Sequence, residues 1–215
     1  MGQKVHPHGL RLGPVYNWSS RWFFSDKAAY RKAILEDSRI RDELMKKYSF
    51  AGITEVIIER AIKKITVIMY SVKPGMIIGR GGKGLEDVKQ IIVSHLGSQQ
   101  DKKTKVDLKI EPVKKPYLNA YYVAQSIAEK LVRGMPHRAI VHSTMSKVME
   151  SGAKGIKIRL GGRIGGAEIS RAEKYFQGSI PTSTIREPVT FAIFPALTKS
   201  GYVGVKVWMC QSTKV

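Results

Sequence analysis

The sequence predicts an α+β protein in two parts, and three observations carry that reading. Runs of β-branched residues with a period of two mix with runs of helical period, without the regular strand–helix–strand succession that a doubly wound sheet needs. A glycine cluster, Gly79-Arg80-Gly81-Gly82-Lys83-Gly84, stands between two helical runs. Pro112 and Pro116 bracket a break in the pattern, and the 215 residues leave room for two domains of ordinary size.

Residues 1–26 form an expected N-terminal arm: Gly9, Gly13 and Pro14 interrupt it, while Trp18, Trp22, Phe23 and Phe24 cluster without a period. The aromatics are expected to pack on the body of the chain rather than to stack on bases. From Lys27 to Tyr48, Ala28, Ile34, Leu35, Ile40 and Leu44 recur near a helical period, with Ser25 or Asp26 as the cap. The runs 54–60 and 64–70 are rich in Val, Ile and Thr and read as a hairpin. Pro74 then opens a short apolar turn. Leu85, Val88, Ile91, Ile92 and Leu96 recur with helical spacing, and Gly97 supplies a stop. The run 105–110 alternates as a strand.

Three chemistries compete for the glycine cluster. Gly79, Gly81 and Gly84 fit the dinucleotide pattern G-x-G-x-x-G, but no strand runs directly into them. A phosphate-binding P-loop needs a Ser or Thr after its lysine, and Lys83 is followed by Gly84. The third is the Ile-Ile-Gly-x-x-Gly loop of a KH domain, here Ile77-Ile78-Gly79-Arg80-Gly81-Gly82. Such a loop lets a sugar-phosphate backbone approach the peptide, and amide N–H groups of the next helix face the phosphates. Arg80 and Lys83 add charge, and Ile77 and Ile78 are expected to form an apolar wall for bases. The order helix, strand, strand, helix, loop, helix, strand is that of the type II KH form, so residues 27–112 are assigned to it and 113–116 to a linker.

The second domain, 117–215, opens with a helical run from Tyr117 to about Val132. Gly134 and Pro136 break it before a second helix that ends near Ser151. A strand at 156–160 leads into the turn Gly161-Gly162-Arg163-Ile164-Gly165-Gly166. The stretch 167–177 is ambiguous by period, and strands near 188–197 and 202–210 end the chain. Arg159 and Arg163 flank the glycine turn and suit phosphate contact.

Charge narrows the function. Thirty-seven Lys and Arg against 17 Asp and Glu give +20 at pH 7, with +11 concentrated in residues 113–215. That is an electrostatic footprint for a polyanion. No concentrated basic amphipathic helix points to a membrane surface, and no apolar run reaches transmembrane length. The lone Cys210 makes neither an internal disulfide nor, with its neighbours, a zinc site. His6 and His8 bracket Pro7 without a third ligand, and His142, Ser143 and Ser146 lack an orienting group, so no catalytic residue, metal, cofactor or small-molecule substrate is expected. A free-standing KH regulator or nucleic-acid enzyme is the competing reading, and a cofactor-binding oxidoreductase, resting only on the weak glycine pattern, a distant third.

Four motifs in order give the chain a resemblance to the KH-containing family of small-subunit ribosomal proteins. They are Gly2-Gln3-Lys4-Val5-His6-Pro7 with Arg11-Leu12-Gly13; 152–157; 162–169; and Gly204-Val205-Lys206-Val207-Trp208. The resemblance implies two helices on a β-sheet in the second domain, and a strand at 167–177. It implies binding to 16S ribosomal RNA in the subunit head, with Lys4, His6 and Arg11 on the RNA side, and contact with neighbouring head proteins. It also implies a place at the entrance of the messenger-RNA channel, where His137 and Arg138 stand. His137 and Val141 occupy positions that are often Arg or Lys in the family, which weakens any unwinding of messenger RNA here. Location on a cytoplasmic ribosome follows, with an organellar ribosome also open.

Overall fold

The structure is a computed structural model that describes residues 5–61, 64–96 and 105–211. The chain divides into two compact units, one from Trp18 to Lys114 and one made of the described residues up to Asn17 together with those from Lys115 onward. The expected arm 1–26 is thus shared between the units.

In the first unit, α2 (Lys27–Lys47) starts where Asp26 accepts from the amides of Ala28 and Ala29. The first helix of the chain, α1 (Pro7–Leu10), belongs to the other unit. The hairpin is antiparallel, β2 (Ile53–Ala61) against β3 (Lys64–Ser71). Then come α3 (Pro74–Ile78), α4 (Lys83–His95) and β4 (Lys105–Pro112), which runs parallel to β3. The expected stop Gly97 lies outside the described residues. Ile40, Leu44, Ile58, Val67, Met69, Ile77, Val88 and Ile92 are sealed from solvent between helices and sheet, and their burial is the main stabilising term.

A two-residue strand, β1 (Ser20–Arg21), adds to the sheet edge parallel to β2, giving the order β1-β2-β3-β4. Side chains hold it there. Asp37, 1% exposed, accepts from Ser20 Oγ at 3.0 Å, Trp22 Nε1 at 2.7 Å and Arg60 Nε at 2.9 Å. Trp22 therefore packs as expected, while Trp18, Phe23 and Phe24 stay exposed.

In the second unit, Asn119 caps α5 (Ala120–Val132) by accepting from the amides of Tyr121 and Tyr122. Tyr117 lies in a single 3₁₀ turn before it, so the helix starts later than its apolar period suggests. α6 (His137–Glu150) follows. The strands β5 (Ala153–Gly162), β6 (Arg171–Gly178), β7 (Val189–Thr198) and β8 (Gly201–Gln211) pair antiparallel in the order β6-β5-β8-β7. The ambiguous stretch is a strand from Arg171 onward, paired with β5. α5 packs on β7 and β8, and α6 on β5. Val123, Ile127, Ile140, Val141, Ile156, Ile158, Leu160, Val205 and Val207 fill the space between.

Candidate nucleic-acid interface

The glycine loop is built by backbone demands. α3 ends at Gly79, whose φ of 68° and ψ of −178° suit glycine alone. Gly81 and Gly82 also have positive φ, 66° and 79°, and the chain turns within four residues into α4. Gly84 passes so close to the preceding turn that a Cβ there would lie 2.0 Å from the carbonyl oxygen of Ile77. No side chain caps α4, so its first amides remain unpartnered by a cap at the positive end of the helix dipole. Arg80 and Lys83 are both exposed beside them. The combination is an anion-receptive loop.

One part of the expected apolar wall is corrected here. Ile77 is fully buried in the core of its unit and anchors the loop from beneath, so it offers nothing to a base. Consecutive residues on a helix point about 100° apart, and only Ile78, together with Met76, reaches solvent.

Arg11 is a second correction. It is wholly buried, and its guanidinium donates to five backbone carbonyls. Nε meets Glu187 at 2.7 Å and Nη1 meets Pro7 at 2.9 Å. Nη2 meets Pro181 at 3.1 Å, Thr182 at 3.0 Å and Thr184 at 2.9 Å. Wholly buried, with each guanidinium nitrogen donating inside the protein, Arg11 cannot reach a phosphate. Its charge holds together a loop that has no regular hydrogen-bond ladder. Lys4 lies outside the described residues.

His6 caps α1 through Nδ1, which accepts from the amide of Gly9, and its ring stands edge-on to Phe191 at 5.1 Å. Partial burial, then the neighbouring His8, lowers its pKa and favours the neutral ring. Arg163 is exposed, yet Nε donates to Ala167 and Nη1 to Ser200, so it also pins the glycine turn to the β7–β8 hairpin.

Arg159 stands on the open face of the second sheet. Around it are Lys157, Lys206, Phe191 and Trp208, none of which sequence reasoning named as a binding residue. With His6 they line a cavity of about 560 Å³. The signal was present: in 157–159 and 206–208 every second residue is cationic or aromatic, while the alternate positions are apolar.

At the start of α6, Arg138 is exposed but His137 is not free. Its Nε2 lies 3.0 Å from Glu173 Oε2, without the angle of a good hydrogen bond. The Tyr175 hydroxyl donates to that carboxylate, and with His137, Arg171 and Arg138 nearby it keeps Glu173 below the usual carboxylate range. Val141, one turn on, is sealed in the core. Among the described residues no group of three or more His, Cys, Asp or Glu could hold a metal ion, and no helix is long and apolar enough to cross a membrane.

Comparison with known proteins agrees with this anatomy. Residues 39–118 match the KH domain family, and residues 127–209 match the family described as ribosomal protein S3, C-terminal domain. The chain is 42% identical over 209 residues to small ribosomal subunit protein uS3 of Caldicellulosiruptor saccharolyticus, covering 97% of this chain and 91% of the relative. It is 40% identical over 215 residues to that of Persephonella marina, covering 100% and 92%. It is 39% identical over 209 residues to that of Clostridium novyi, covering 97% and 92%. A KH loop on one unit, two helices on an antiparallel sheet in the other, and similarity along nearly the whole length together place the chain in the uS3 family of small ribosomal subunit proteins.

Proposed function

We propose that the protein is a structural constituent of the small ribosomal subunit, bound to 16S ribosomal RNA in the subunit head and touching neighbouring head proteins. The observation that carries this reading is the identity of about 40% across nearly the full chain with proteins named for that subunit. The net charge of +20 supports it, because a polyanion neutralises what would otherwise repel itself. Exposed Arg80 and Lys83 at the uncapped start of α4 offer phosphate contacts, and Arg159 and the remaining donors of Arg163 offer others. Cation neutralisation of phosphates makes such binding fall steeply with salt.

A finer role belongs to α6. In this reading Arg138 faces messenger RNA at the channel entrance. His137 is occupied by Glu173 and Val141 is buried, so one firm cation stands on that turn.

Sucrose-gradient sedimentation of a cell lysate tests the main reading. The chain is expected to travel stoichiometrically with small subunits at moderate salt and to be shed at high salt. A chain that stays at the top of the gradient under gentle conditions sinks the ribosomal reading and favours a free KH-type RNA regulator.

A further inference from the structure

α5 and α6 cover one face of the second unit's sheet, and the other face has a composition that plain solvation does not explain. Pairing registers set two rows across it. Phe176, Lys157, Trp208 and Phe191 stand side by side in one. Lys174, Arg159, Lys206 and Ile193 form the next.

Three cations in adjacent strands repel one another, and like charges directly opposite weaken a sheet. Among the described residues none of Lys174, Arg159 and Lys206 has an ion-pair partner. No Asp or Glu occupies this face of β5 to β8; Glu173 lies on the opposite parity. No carboxylate of the protein therefore neutralises the row, which leaves it open to an anion.

The first row adds the second requirement. The rings of Phe191 and Trp208 lie 4.8 Å apart, and Lys157 Nζ sits 5.5 Å from the Trp208 ring centre. The turn carrying His6 lines the same open-mouthed cavity of about 560 Å³, a size typical of small-ligand sites. Rings beside cations match a ligand with a flat π face and a phosphate. An acidic peptide would satisfy the cations and leave the rings without a flat partner.

We propose that this cavity holds a nucleotide of single-stranded RNA, its base stacked against Phe191 and Trp208 and its flanking phosphates on Arg159 and Lys206. The proposal rests on the RNA-binding reading above and assigns to the second unit a stacking site separate from the glycine loop. Arg159 acts there as a phosphate contact.

The test uses the full chain and a fluorescein-labelled single-stranded decamer of adenosine, read by anisotropy. It is run in a background where the loop is disabled by Arg80→Asp with Gly81→Asp, so that only other sites report. That background is expected to keep measurable affinity. Adding Trp208→Leu is expected to weaken it by at least about fivefold, the lower end for loss of one base–aromatic stack. Trp208→Phe restores most of the affinity and guards against a Leu variant that merely unfolds. Lys206→Gln lowers the slope of log affinity against log salt by about 0.7, as loss of one contact to a single strand requires. If the unaltered chain binds but the loop-disabled background does not, RNA binding stands and the cavity site fails. If neither binds, both fail. Equal affinity in folded Trp208→Leu overturns the proposal, as does displacement of the decamer by a glutamate-rich decapeptide whose own binding ignores Trp208, which would reassign the face to a protein.

Discussion

The Nε–H of Arg11 donates to the backbone carbonyl of Glu187 at 2.7 Å, across 176 residues of sequence. This one contact, with four more from the same guanidinium, converts a residue that looked like an RNA ligand into an internal brace.

Arg11→Lys tests the brace. Lysine offers a compact charge in place of a planar fork and cannot reach five carbonyls. The second unit is expected to lose about 3 kcal/mol, read as a lower urea midpoint for its unfolding. Under conditions where the variant is folded, affinity for single-stranded RNA should equal that of the parent. A folded variant with weakened RNA binding and an unchanged midpoint would return Arg11 to the interface.

Gly84 and Gly81 separate two reasons for glycine in one loop. At Gly84 the obstacle is backbone that cannot move aside, with a Cβ 2.0 Å from the Ile77 carbonyl oxygen. Gly81 has nothing within 4 Å and only its φ of 66° to defend. Gly81→Ala should cost about 1–2 kcal/mol, the usual left-handed penalty. Gly84→Ala should cost more, about 3 kcal/mol or above, because α3 and α4 must part. Denaturant midpoints of the two variants rank them, and equal losses would contradict the close approach.

Glu173 makes stability depend on acid. Its pKa is lowered, first by the hydrogen bond from Tyr175 and then by nearby His137, Arg171 and Arg138. A depressed carboxylate stabilises the fold above its ordinary value of 4.5, and that contribution disappears as pH falls through the folded pKa. Glu173→Gln should therefore be less stable than the parent at pH 7, and the gap should narrow and close as pH falls below 4.5 and through the lowered folded pKa. Urea midpoints from pH 7 to 3 measure it. A gap that widens in acid would give the carboxylate the opposite sign.

Arg138 is the exposed cation at the start of α6. Arg138→Ala should slow a reconstituted translation system on a messenger with a stable hairpin and leave an unstructured messenger unaffected. No difference between the two messengers would remove α6 from the channel entrance.

Elements with a strong local period were legible in the sequence. The hairpin of β2 and β3, the amphipathic α4 and the final strands announce themselves within a few residues. So does the glycine loop, because its chemistry is contiguous. β1 was not legible. Two residues have no period, and what fixes them is Asp37, 17 residues beyond Ser20. Arg11 was misread because its partners are carbonyls, which every residue possesses and no pattern marks. The cavity face was missed for a related reason. Lys157 and Trp208 become neighbours only through the pairing of β5 with β8, and a register between strands 51 residues apart is not written in either strand. Ile77 could have been read correctly, since adjacent residues of a helix rarely share a face.

The division of the N-terminal residues between the units also sets a timetable for synthesis. The unit from Trp18 to Lys114 is one unbroken stretch, so everything its core requires has been made once Lys114 leaves the ribosome that is building it. The other unit is begun first and finished last. His6 and Arg11 emerge before that stretch, yet the carbonyls at Thr184 and Glu187 and the ring of Phe191 that receive them are made only after it. Until then the guanidinium that will be buried stays in water. A nascent chain of this protein thus carries a finished domain while residues made ahead of it wait for partners made behind it.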